Sequence, residues 1–279
     1  LAPALPCPEW MLYAFATSQP IFMTELLSNP AFYMAAIPAV LLVGLSKGGF
    51  GGAMALLGVP LMTLAVPPVQ AAAILLPILI VMDMVSLWAW RGFYDRRTLA
   101  ILLPGAVIGI AIGWATATVV TEGHVRILVG LVALAFFLRW LFEKLGGRER
   151  TARHSVPRGL FWGSTAGFTS FVAHAGGPPY QVYALPLRQD PKIYTGTSVV
   201  FFAVVNLVKL VPYFALGQFD RTNLMASAML VPVAMLATLL GVWGVKRMRP
   251  ELFYPFMYVM VLIVSLKLIH DGASDLMGW

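Results

Sequence analysis

The feature that most constrains this chain is a succession of long apolar runs that do not alternate and are parted only by short polar or Pro/Gly stretches. They fall at about 30–46, 53–66, 69–90, 98–119 and 124–142, then 159–174, 178–187, 192–215, 223–245 and 251–269. Most approach the ~20 residues a helix needs to cross hydrocarbon, and none has the strict alternation of a barrel strand. Charged residues make up 11% of the chain, against roughly a quarter in a soluble domain. The expected fold is an all-α polytopic membrane protein.

Two runs are too short to cross. Ala53–Val66 and Pro178–Leu187 are the second segments of the two halves, and both are bordered by glycine and proline. They read either as short spans or as re-entrant pieces near the membrane centre. Residues 1–29 carry no Lys or Arg and are expected to form an interfacial or irregular segment, and 271–279 a C-terminal tail.

Basic residues supply an orientation. The linker 143–158 holds Lys144, Arg148, Arg150, Arg153 and Arg158, and short basic loops are retained in the cytoplasm. Threading from there puts fifteen of the nineteen Lys and Arg on the cytoplasmic side, with both termini outside. The net charge of +7 is thus explained by topology, with no nucleic-acid partner required. A single cysteine and four scattered histidines leave no metal site and no cofactor to expect.

Displacing the chain by 119 residues aligns Gly44 with Gly163, Gly48 with Gly167, Gly58 with Gly177 and Pro60 with Pro179. With small shifts, Gly92-Phe-Tyr-Asp-Arg faces Gly217-Gln-Phe-Asp-Arg, and Gly113 faces Gly241. The order of these matches predicts two homologous halves, 30–142 and 159–270. Five segments per half would make them inverted in the membrane, a recurring design of secondary transporters with substrate at interrupted helices.

The interruptions locate the candidate site. Gly44-Leu-Ser-Lys-Gly-Gly-Phe-Gly-Gly52 breaks a helix and frees backbone N–H groups for an anion, with Ser46, Lys47, Gly48, Gly49, Gly51 and Gly52 as candidate contacts. The second element ends one helix at His174 and restarts after Pro178-Pro179, adding Gly176 and Gly177 and the neutral donors Ser164, Thr165, Thr169 and Ser170. Close helix packing is the other use of such glycines. Asp83 lies inside a span, where an ionisable group must be paired, protonated or facing a cavity. Asn206 and Lys209 sit one turn apart on the corresponding span of the second half and can share a face. An Asp83–Lys209 ion pair is one expectation and an outward-snorkelling Lys209 the other. Asp83 and His174 are the proton-coupling candidates. Asp95 and Asp220 read as helix caps.

At these two elements the chain resembles the sulfite exporter TauE/SafE family, also called toluene-sulfonate uptake permeases. The likeness rests on Gly48-Gly-Phe-Gly-Gly52 followed by Val59-Pro-Leu61, and on His174-Ala-Gly-Gly-Pro-Pro179, over about residues 30–270. It implies a bacterial inner-membrane carrier, not an enzyme, that exports sulfite, an organosulfonate or a related sulfur anion. The motif positions carried over are Gly48, Gly49, Gly51, Gly52, Gly176, Gly177 and Pro179. An anion channel, or an uptake permease for another small anion, is the alternative that broken helices also fit.

Overall fold

The computed structural model describes residues 29–50, 54–66, 68–116, 119–147, 151–215 and 221–277, and among these it is helical with no strand. The helices are α1 (Pro30–Leu45), α2 (Gly58–Met62), α3 (Pro68–Ala89), α4 (Arg96–Ala115) and α5 (Glu122–Leu145), then α6 (Val156–Ala173), α7 (Gly177–Ala184), α8 (Pro191–Ala215), α9 (Arg221–Arg247) and α10 (Pro250–Met277). Each of the ten expected segments has its helix. Residues 1–28, with the expected interfacial segment, Gly51 and Gly52, and the Asp220 cap lie outside the described residues.

Six of the helices are long and apolar enough to cross a membrane among the described residues. The two short elements are not. A 3-10 turn, Met54–Leu57, runs into α2, and α7 runs into another, Leu185–Leu187. Each spans under about 20 Å, against ~30 Å of hydrocarbon. At the other extreme, α10 continues to Met277 through most of the expected tail. The extra turns are held: Asp275 bonds Arg126 at 2.6 Å, and the Gly272 and Gly123 backbones touch.

Helix association in lipid depends on close packing rather than on water exclusion, so small residues decide which faces meet. α1 packs on α9, and α4 on α6; α5 packs on α10, and α3 on both α8 and α9. The seams are glycine-lined. A Cβ on Gly48 would stand 2.3 Å from the Thr238 carbonyl oxygen of α9, and one on Gly109 of α4 would stand 1.9 Å from that of Ser164 on α6. The α5–α10 face adds an aromatic closure to its glycines, with Trp140 stacked on Tyr258 at 4.2 Å.

The loops at one end converge on Asp95. Its carboxylate caps α4 by accepting from the Arg97 and Thr98 N–H groups and the Thr98 hydroxyl, and it also accepts from Gln189 Nε2 at 2.8 Å. His154 of the linker lies 3.5 Å away, and the Asp95 N–H donates to Thr197 of α8. Burial pushes this carboxyl upward, but the Thr98 hydroxyl, the Arg97 and Thr98 N–H groups and His154 together hold it below its ordinary 3.8. Around the same end, Arg91, Lys144, Lys246 and Arg247 lie over the rings of Trp88, Trp140, Trp90 and Trp243. Tryptophan with basic neighbours is the signature of a membrane–water interface.

Two outcomes are expected. Gly48→Ala puts a methyl group into the α9 backbone and should lower stability by ~1–3 kcal/mol in a detergent thermal melt. Asp95→Ala should cost about 1 kcal/mol at neutral pH. Because the native pKa of Asp95 is depressed, its contribution is complete above its unfolded value and fades as pH falls through the lower native one, so the two melting curves should converge only in acid.

Candidate anion-binding cavity

The first helix break is held open by one stripe of α3. After Leu45 the chain makes a wide turn, Ser46–Phe50, in which Gly49 adopts φ +139°, a conformation L side chains rarely take. The carbonyls so released from the helix ladder find donors on α3: Ser86 Oγ gives to the Lys47 oxygen and Trp90 Nε1 to that of Gly48, each at 3.0 Å. Three residues earlier on the same stripe, Asp83 Oδ1 receives Lys47 Nζ at 2.6 Å.

The second break is built differently. α6 ends in His174, which is left-handed at φ 52°. The Thr169 carbonyl accepts from Ala175 N–H, and the Thr169 hydroxyl lies between the carbonyls of Thr165 and Ala175. Pro178 and Pro179 follow at the start of α7, so that turn offers few N–H groups beyond those of Gly176 and Gly177.

Between the two breaks lies a cavity of about 130 Å³. Ser46, Lys47 and Gly49 reach it from the first break; Ser170, His174, Gly176 and Gly177 from the second; Asp83 from α3; and Asn206 and Lys209 from α8. Apolar side chains of the first half, including Val43, Val59, Leu75 and Leu79, complete the wall. Gly48, Ser164 and Thr165 do not line it. Gly48 packs on α9, Ser164 on Gly109, and the Thr165 hydroxyl turns back to the Phe161 carbonyl. Ser170, one of the donors expected from the second element, lines it, as do Tyr194, Thr195 and Ser198, which sequence reasoning missed. The signal was the run Tyr194-Thr195-Gly196-Thr197-Ser198, four hydroxyls inside an apolar span. Among the described residues, the buried Thr195 hydroxyl has no hydrogen-bond partner.

The charges are arranged unlike the expected pair. Asp83 is bonded to Lys47, not to Lys209, and its second oxygen accepts from Asn206 Nδ2 at 2.6 Å. Lys209 does not snorkel. It is 3% exposed, and its ammonium donates to the carbonyl and hydroxyl oxygens of Ser170 at 2.9 and 3.3 Å. Among the described residues no carboxylate lies within ion-pair distance of it. A buried ammonium bonded only to neutral oxygens is a standing demand for an anion.

A family model described as Sulfite exporter TauE/SafE matches residues 36–268. The chain belongs to the TauE/SafE sulfite exporter family. It is thereby a multi-pass membrane transporter of sulfur-containing anions such as sulfite, and a cavity with a buried cation is the chemistry such cargo requires. No curated protein and no solved structure matches it.

The Lys47–Asp83 pair gives a test of the geometry. Lys47→Met strands a buried carboxylate and should cost ~3–5 kcal/mol, whereas Lys47→Met with Asp83→Leu removes both charges and should recover most of that loss in thermal melts. Equal stability of the single and double variants would contradict the pairing.

Proposed function

We propose that this protein exports sulfite, an organosulfonate or a related small sulfur anion across the bacterial inner membrane by alternating access. The observation that carries the reading is Lys209, a buried cation with no carboxylate within ion-pair distance among the described residues, facing a cavity walled by two helix breaks. An arriving anion supplies the missing negative charge, with Ser170, Thr195 and Ser198 as hydroxyl donors and the glycine turns allowing its close approach. The binding set proposed is Ser46, Lys47, Gly49, Ser170, His174, Gly176, Gly177, Thr195, Ser198, Asn206 and Lys209.

The moving parts are two inverted repeats, 30–142 and 159–270, joined by the basic linker. What supports this is the exchange of partners: α1 sits on α9 as α6 sits on α4, and α3 touches α9 as α8 touches α4. The contacts α3–α8 and α5–α10 map onto themselves under the same exchange. A cavity between such halves is opened to either side by rocking one against the other. The basic end carrying the linker faces the cytoplasm, as the distribution of Lys and Arg favours, and both termini face the periplasm.

Of the two proton-coupling candidates, the geometry favours His174. Asp83 gives its two oxygens to Lys47 and Asn206, whereas His174 stands at the left-handed end of α6 on the cavity wall, beside the path of the cargo. The test is flux in proteoliposomes. Radiolabelled sulfite should accumulate saturably and show counterflow, and an imposed pH gradient should drive it. Lys209→Met should reduce flux at least ~10-fold in protein that elutes as a folded species, since it removes a charge-assisted contact worth ~1.5–3 kcal/mol. Wild-type flux from Lys209→Met would overturn the assignment, and single-channel currents in place of counterflow would overturn the carrier mechanism.

A further inference from the structure

The charges facing the cavity can be counted. Lys47 and Asp83 cancel at 2.6 Å. Lys209 adds a second positive charge, bonded to the two Ser170 oxygens, so that one Asp83 carboxylate stands against two ammonium groups among the described residues on the wall. The other titratable groups on the wall are His174 and Tyr194. The nearby Arg126 already bonds Glu122 and Asp275. Once an anion sits against Lys209, a single negative charge therefore brings the cavity to neutrality. A second has nothing to meet.

In water a surplus charge is solvated cheaply; between helices it is not, and a buried ion stays bound only when it is paired. The walls sharpen this. Polar donors gather on α6 and α8, in Ser170, Thr195, Ser198, Asn206 and Lys209, whereas Val43, Val59, Leu75 and Leu79 offer none. A doubly charged tetrahedral anion would turn charged oxygens toward that apolar side. A sulfonate turns its carbon there.

We infer that the cavity selects its cargo by charge, accepting singly charged sulfur oxyanions such as hydrogensulfite and sulfonates and rejecting doubly charged ones, with the Lys47–Asp83 pair setting the count. This rests on the reading of the cavity as the anion site. Asp83 is then a specificity determinant: by occupying Lys47 it denies a second negative charge its partner.

Methanesulfonate and sulfate are tetrahedral, similar in size and different by one charge, and both keep that charge at pH 8, above the ordinary histidine range. Isothermal titration of the full-length protein in detergent at pH 8 should show methanesulfonate binding that is lost in Lys209→Met, and sulfate binding at least ~100-fold weaker. Asp83→Asn frees Lys47 and should tighten sulfate at least ~10-fold, a gain that Lys47→Met with Asp83→Asn should abolish. Equal affinity of the wild type for the two anions, with both dependent on Lys209, would overturn the charge rule and leave the site standing. A charge preference indifferent to Lys209→Met would overturn the site assignment, and the absence of binding by either anion would overturn both. The wild-type comparison decides the charge rule even where Asp83→Asn fails to fold.

Discussion

Ser86 and Trp90 hold the Lys47 and Gly48 carbonyls, and the rest of the site depends on that small transaction. A helix that stops inside hydrocarbon exposes backbone groups with no water to take them, at several kcal/mol each. α3 answers with two donors and a carboxylate on one stripe, so that Asp83, Ser86 and Trp90 clamp the turn side chain and backbone together. The second break is satisfied from within, by Thr169 bridging to Ala175. Only because both breaks are satisfied this way do two helices end near one another and leave a cavity.

Small residues then decide where that cavity stands. Gly48 against Thr238, and Gly109 against Ser164, bring the α1–α9 and α4–α6 backbones to near contact. Lipid gives no hydrophobic force to hold helices together, so these close seams and the stacked Trp140–Tyr258 pair supply the attraction. α3 and α8 are left facing each other between the seams, and they carry Asp83, Asn206 and Lys209 of the site. The glycines therefore divide in role. Gly49 permits a turn no other residue takes easily, whereas Gly48 admits a neighbouring helix.

The electrostatics follow from depth. A Lys–Asp pair at 2.6 Å with an amide on the second carboxylate oxygen is neutral and fully bonded, so it can stay out of water. Among the described residues, Lys209 is bonded to neutral oxygens and has no carboxylate within ion-pair distance. In the proposed reading, that imbalance is the place the cargo fills.

Much of this was legible from the order of residues alone. Run length, scarcity of charge and the lack of alternation dictate membrane helices, because only helices and closed barrels satisfy the backbone in lipid and barrel strands alternate. Gly and Pro at the ends of short runs mark where helices stop, and the doubled Gly44–Gly52 and Gly163–Pro179 elements carry the family likeness; these are local properties, written in neighbouring residues. Partner choice is not local. That Asp83 meets Lys47 rather than Lys209, that Ser164 and Thr165 turn away, and that Ser170 and Thr195 turn in are set by the rotation of each helix about its axis. That rotation is fixed by which glycine seam closes on which helix, through contacts between residues far apart in the sequence, such as Gly109 with Ser164 and Gly48 with Thr238.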